Sequence, residues 1–485
     1  MCKASYEEQW KGINWQEATN SVSKAQNKIY KASKENNKKL VIKYQKSLVR
    51  SWYGRLVATR YLLLERKLHI QSKDEKNLTY KNKIELINHL VLDQKFPKLI
   101  KLAKDENKII KSQTRAKQYL LLLALEPEWE SKFEPTSYGL RPGRSIHDGI
   151  SEICNTLKKN VSYISFTKIN TSFSSINQKW FFKKLNTCPI FRVQIKEWLK
   201  LGMIFEEKTG VNDIGTAQSD PIAPLFVNIM LHEVDQNIKK YIADKQNIRS
   251  KSTHSNSIRY CEKFVLLCPN TKTLDELLKT ICNSVYKIGL EIDNSESTIK
   301  HSLKEDINHK SGIRLLGFHI RHVKKTSRNL EKLCSLYVET IPDRAYVQTH
   351  INYLREVVKS QETTTQSNLI QKINYICIRW SQYYMYSNTT ETFKKLDKLM
   401  ITRLLKWGYN RHPTKSKGWV KNKYFYKIDN RHWYFAVINL KTQINLCAFI
   451  HSKTVKKNYL PLDNKKSPYD GDNIYWVTYL NQKKL

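Results

Sequence analysis

Acidic residues are scarce in this sequence: 84 Lys and Arg stand against 44 Asp and Glu, for a formal charge of +40. Such an imbalance is self-repulsive unless a polyanion lies close by, and it points to nucleic acid as the partner. A basic face on a membrane surface is the competing reading, but long hydrophobic runs are missing too. The longest apolar block, YLLLLAL at 119–125, falls far short of the ~18 residues a spanning helix needs and reads as a buried helix face. Nine cysteines are scattered with no CxxC pair and no Cys/His cluster at zinc spacing, which argues against a disulfide scaffold or a structural zinc site read from motifs. Reduced thiols in an intracellular compartment are the expectation, with no metal and no cofactor. The start, MCKASYEEQW, has acidic residues and Trp where a secretory or transit peptide has an apolar or Arg/Ser-rich segment. Internal repeats and low-complexity domains are absent as well.

What is present suits a multi-unit globular protein. The chain has 485 residues, 40% of them hydrophobic, and length over about 150 suggests roughly three units. Residues 5–70 read as helices, with Lys-rich interruptions at 31–39 and 72–83 as surface turns or linkers. From 115 to 325 the pattern mixes helix and strand, with turn signals at RPGRS and SDPIAP and a pair of strands around 258–268. After about 345 it is helical again, and from about 425 it reads as short strands and loops.

Several stretches carry chemistry. LALEPEWESKFEPTSYGLRPGRSIHDGI, at 123–150, joins an acidic-aromatic helix to a loop that precedes a helix starting near Ser145. Arg141, Arg144 and the backbone N–H groups of that helix start could hold a phosphate; an ordinary capped helix is the plainer alternative. The stretch RHPTKSKGWVKNK gathers Arg411, His412, Lys415, Lys417, Lys421 and Lys423, broken by Pro and Gly, as either a solvated face or a phosphate-binding loop. Aromatics at helical spacing before it, Trp380, Tyr384 and Trp407, read as core.

The 123–150 block resembles the fingers–palm segment of the reverse transcriptases encoded in group II introns, the maturase family. Further matches follow in order: SINQKWFFKKL (175–185), GTAQSDPIAPLFVNIMLHEVD (215–235), RYCEKFVLLC (259–268), GLEIDNSEST (289–298) and RLLGFHIR (314–321). The stretch 378–425 is similar to the family's thumb, domain X, while 429–437 and 467–476 resemble the DNA-binding segment beyond it. An N-terminal match at 10–60 ends in SWYGRLVATR. The resemblance implies an α+β protein with right-hand polymerase-like fingers and palm followed by a helical thumb. It divides the chain into an N-terminal helical extension (1–75), fingers and palm (76–325), thumb (340–425) and a small C-terminal DNA-binding-like segment (426–485).

The family's palm carries three carboxylates, one on the first palm strand and two at a hairpin turn written Tyr-Ala-Asp-Asp. They clamp two divalent metals, which demand oxygen ligands. Here the hairpin reads Tyr260, Cys261, Glu262, Lys263, and alignment from INQKW places the strand's Asp at Lys168; no Asp or Glu lies between Glu152 and Glu197. One carboxylate remains and two cations are gained. At an effective dielectric of 20, a unit-charge repulsion at 4 Å costs about 4 kcal/mol and a divalent ion roughly doubles it. Metal-dependent DNA synthesis is therefore not expected. Lys168 and Lys263 are expected to pair with Glu262 or with RNA phosphate, or else to be solvated.

Other departures agree. The family's Pro-Gln-Gly-Gly loop is Ala217-Gln218-Ser219-Asp220-Pro221, without its glycines, and the fingers segment 61–114 lacks the family's basic strand. The chain stops nine residues after Trp476, so the family's endonuclease domain is expected to be absent. What the resemblance leaves is RNA handling, with Arg141, Arg144, Arg379, Lys406, Arg411, His412, Lys415, Lys417, Lys421 and Lys423 as RNA-binding candidates. The expected partners are intron RNA and other splicing factors, with no membrane. Heavy use of Lys, Asn and Ile, as in KENNKK, suits an A/T-rich organellar gene, with the chloroplast expected and the mitochondrion as the alternative.

Overall fold

The computed structural model describes residues 5–68, 79–92, 104–171, 176–200, 220–248, 255–305, 311–325, 335–429, 432–438 and 445–484. It is an α+β structure divided into two compact units, one of 1–152, 165–299 and 461–485, the other of 153–164 and 300–460.

The first unit begins with helices Tyr6–Lys11, Trp15–Lys34, Lys38–Arg50 and Trp52–Leu68, as the apolar periodicity predicts. The Lys-rich 31–39 stretch breaks only at its middle: Asn36 takes a left-handed φ of 56° and Asn37 caps the next helix through Leu40 N. Part of the expected 72–83 linker is helical, because Thr79 caps the helix Tyr80–Asn88. The helix Lys104–Glu130 packs on these, burying Leu120, Leu121, Ala124 and Leu125. A buried carboxylate anchors the group. Glu128 Oε1 accepts from Lys38 and Lys132 at 2.8 and 2.7 Å, and Oε2 accepts from Gln45 at 2.7 Å.

A four-stranded sheet follows, built from β1 (Tyr163–Asn170), β2 (Asn256–Tyr260), β3 (Lys263–Cys268) and β4 (Glu291–His301) in the order β2-β3-β1-β4. β3 is apolar along its length and buried from Phe264 to Cys268, as a strand covered on both faces must be. Helices Ala223–Ile248 and Thr271–Ile288 supply the cover, with Phe226, Met230, Leu274, Leu277 and Ile281 buried.

The second unit holds a sheet of β5 (Ile313–Leu315), β6 (Phe318–Lys325) and β7 (Ser335–Pro342), antiparallel throughout. Helices Arg344–Ser360, Gln366–Tyr384, Thr390–Arg411 and Lys417–Tyr424 come next, then β8 (Phe425–Asp429), β9 (His432–Ile438) and β10 (Asn445–Cys447), paired β10-β9-β8. One core joins them, containing Leu369, Ile373, Met400, Leu404, Trp407, Tyr424, Phe425, Phe435 and Ala448. Tyr384 and Trp407 are core, as their spacing predicts, while Trp380 is half-buried. Gly408 lets two helices touch: a Cβ there would lie 2.6 Å from Val420 Cγ1.

The C-terminal stretch 426–485 is therefore not one piece. Residues 426–460 pack with the helical core of the second unit, and 461–485 belong to the first. Nor is its end all loop: Asn473–Lys484 is a helix that buries Trp476 and Tyr479 at i, i+3.

Candidate nucleic-acid interface

The β2–β3 hairpin turns on Cys261 and Glu262, with Tyr260 paired to Lys263 and Cys261 in the left-handed region at φ 53°. Two backbone contacts fix the turn. Ile169 N donates to Glu262 O at 3.0 Å, and Gly139 comes so close that a Cβ there would sit 2.1 Å from Cys261 N. Burial, then the charge of Glu262, pushes the Cys261 thiol up to about 12, so it stays protonated. Glu262 and Lys263 are both half-buried.

Lys168 on β1 pairs with Asp293 on β4, Nζ to Oδ2 at 3.3 Å, and both side chains keep nearly a third of their exposure. Its partner is thus Asp293, which the sequence reading did not single out; pairing across adjacent strands β1 and β4 is invisible in the linear order. The donors at the three aligned positions do not fit a two-metal cluster. They are one carboxylate and two ammonium groups, and the nearby Asp293 is already neutralised by Lys168.

Arg259, the first residue of the hairpin motif, is buried. Its guanidinium reaches Asp235 Oδ2 at 2.8 Å, Asn228 Oδ1 at 2.7 Å and Cys261 O at 3.0 Å, tying the hairpin to the helix Ala223–Ile248. The adjacent loop 217–219, including Gln218, lies outside the described residues, as do residues 69–78 and 93–103 of the expected fingers segment.

The phosphate cradle expected around 141–145 is filled from within. Arg141 is 6% exposed and makes a bidentate pair with Glu130 at 2.9 and 2.8 Å, its remaining nitrogen donating to the carbonyls of Glu134 and Ser137. Arg144 donates to the carbonyls of Pro135 and Asn464 and lies over the Tyr138 ring. At the helix start, Asp148 Oδ2 accepts from Ser145 N at 2.7 Å and from its hydroxyl at 2.9 Å. Asp148 also accepts from Leu462 N and Tyr479 Oη at its other oxygen. The helix N-terminus already has its anion. Arg141 and Arg144 are therefore structural donors and not the phosphate ligands their spacing suggested.

The basic stretch of the second unit differs. Ser416 caps the helix Lys417–Tyr424 by accepting from Trp419 N at 3.2 Å. Lys415, Lys417, Lys421 and Lys423 are all exposed, and so are Arg379 and Lys406 on the preceding helices. Two partly exposed indoles, each 38% accessible, sit among the cations. Trp419 has Lys423 and Lys415 at 4.7 and 5.7 Å from its ring, and Trp433 on β9 has Lys421 and Lys427 at 4.5 and 5.6 Å. Arg379 covers the exposed Tyr375 at 4.1 Å. Two expected members of this set face inward instead. Arg411 donates to the carbonyls of Glu362 and Thr364 and stacks over Trp407, and His412 shares a 2.7 Å hydrogen bond with Tyr424 Oη. Desolvation, then the charges of Lys423, Arg411 and Lys415, hold the His412 imidazole below its usual value, so it is neutral near pH 7. Trp419, Trp433 and Lys427 were not singled out in the sequence, because only the folded chain sets the strand residues Lys427 and Trp433 beside the helix Lys417–Tyr424.

The α+β fold, with its β2–β3 hairpin at one edge of the four-stranded sheet, agrees with a polymerase-like fold of the reverse transcriptase class. Residues 105–320 match the reverse transcriptase (RNA-dependent DNA polymerase) family, 10–90 the N-terminal domain of reverse transcriptase, and 347–425 the group II intron maturase-specific domain. The chain belongs to the group II intron reverse transcriptase/maturase family. It is 27% identical to Protein YkfC of Escherichia coli (strain K12) over 221 residues, 39% of this chain and 57% of that protein. It is 23% identical to maturase-like protein 1 of Euglena gracilis over 394 residues, 77% of each. An uncharacterized 91 kDa protein in the cob intron of Schizosaccharomyces pombe is 29% identical over 189 residues, 38% of this chain and 22% of that protein.

Proposed function

We propose that the chain is an RNA-binding maturase that assists splicing of group II-type introns by holding the intron RNA in its active fold, with reverse transcription lost. The RNA performs the transesterifications, and the protein acts by binding. A protein that prefers the folded intron stabilises it by about 2.7 kcal/mol at a hundredfold excess over Kd. In this reading 76–325 is a degenerate fingers and palm, 340–425 the thumb, and Arg379, Lys406, Lys415, Lys417, Lys421 and Lys423 meet phosphate. Trp419 and Trp433 offer faces on which unpaired bases stack. The relative named as maturase-like, aligned over most of both chains, favours the same role. Intron RNA is the partner, joined by other splicing factors, in the chloroplast or alternatively the mitochondrion.

The observation that carries the loss of polymerisation is the Lys168–Asp293 ion pair beside a hairpin written Glu262-Lys263. Primer extension on a primed RNA template with magnesium or manganese tests it. No extended product is expected, while the same preparation should accelerate self-splicing of a group II intron at low magnesium. Product that disappears on Glu262→Gln would mean that a working metal cluster exists and would overturn the reading.

A further inference from the structure

Away from the basic surface, the second unit buries His350, Cys377 and His451 together, at 5, 0 and 0% exposure. Their ligand atoms all lie within 4.8 Å of one another. They come from the helix Arg344–Ser360, the helix Gln366–Tyr384 and the short turn His451–Lys453. We propose that they form a structural metal site for a thiophilic divalent cation, with zinc the best fit.

The orientation of each ring supports it. Asp397 on the helix Thr390–Arg411 accepts from His451 Nδ1 at 2.9 Å, and its two oxygens also accept the backbone amides of His451 and Ser452 at 2.7 and 2.9 Å. The carboxylate is locked, so Nδ1 carries the proton and Nε2 presents its lone pair. A carboxylate behind a ligating histidine is the usual means of fixing its tautomer and raising its basicity. His350 is held by stacking on Trp380, centroids 4.4 Å apart and planes within 10°. Its Nε2 lies 3.3 Å from His451 Nε2. Two nitrogens each 2.0–2.1 Å from a tetrahedral ion stand about 3.3 Å apart. The same separation lies just beyond the roughly 2.7–3.2 Å of an ordinary N–H···O hydrogen bond. The Cys377 thiol supplies the third, softer donor, and among the described residues it makes no hydrogen bond.

Charge balance agrees as well. A divalent ion with one thiolate and two neutral imidazoles carries one net positive charge, and the Asp397 carboxylate cancels it. Neutrality matters because Trp380, Phe393 and Phe449 pack around His451. Binding replaces the thiol proton, which leaves to solvent. No short-spacing motif announces the site because each ligand comes from a different segment.

The test uses the full chain and the metals alone. Equilibrium dialysis should show one zinc bound tightly per chain. Cobalt substitution should give a thiolate-to-cobalt charge-transfer band together with tetrahedral ligand-field bands. Cys377→Ala should abolish the band and weaken zinc binding roughly hundredfold or more, whereas Cys282→Ala, an exposed cysteine of the other unit, should leave both unchanged. X-ray absorption of the zinc-loaded unmodified chain needs no variant and should find one sulfur and two imidazole nitrogens bound to zinc. A spectrum with no sulfur, or a folded Cys377→Ala chain that holds zinc as tightly as the parent, would reduce the cluster to a histidine–histidine hydrogen bond and overturn the proposal.

Discussion

Arg141 and Lys421 both lie in basic stretches that the sequence offers to phosphate, yet their surroundings differ. Arg141 spends its donors on Glu130 and two carbonyls, whereas Lys421 stays exposed beside an indole. Removing one partner of a buried ion pair leaves an uncompensated charge and costs about 3–5 kcal/mol. Arg141→Ala should therefore lower stability by about that amount in urea denaturation, with RNA affinity of the folded fraction unchanged. A variant of normal stability with weakened RNA binding would restore the phosphate role. Burial made this difference, and burial is what composition and spacing could not report. The same holds for Lys168, whose identity as a cation was plain from the sequence while its partner Asp293 was not. Charge type is local information, but charge pairing needs the strands assembled.

Among the elements, the β2–β3 hairpin was the most legible. Two short runs of β-branched and apolar residues around a two-residue bend announce it, and the observed register closes on Tyr260 and Lys263. The helix Asn473–Lys484 was the least legible, because Ser, Pro, Gly and Asp before it signal a turn and only docking shows that Trp476 and Tyr479 share a buried face. Helix Lys417–Tyr424 stands between these cases. Its basic residues were visible, but the exposure of Trp419 was not. Replacing Lys415, Lys417 and Lys421 with Ala should weaken intron binding and flatten the log–log salt dependence by up to about 2–3 units, because each phosphate contact releases a counterion. Filter binding over a salt series measures it. An unchanged slope would mean that this helix faces only solvent.

At the scale of the whole molecule the excess positive charge dominates. A formal +40 opposes compaction, and screening shortens the reach of that repulsion to about 10 Å at 0.1 M salt. The melting temperature of the free chain should rise between low and moderate salt, and rise further on adding RNA at low salt. Scanning calorimetry reads both shifts, and a melting temperature that falls with salt would mean that internal ion pairs such as Arg259–Asp235 outweigh the net repulsion.

The sequence by itself determined the family, the α+β class and the hairpin, since each is written in contiguous residues whose periodicity or identity is local. Only the tertiary structure decided which cations are spent inside and which remain outside. It also divided the last sixty residues between two units and brought His350, Cys377 and His451 together. Desolvation and partner choice depend on segments far apart along the chain, and neither exists until those segments are packed.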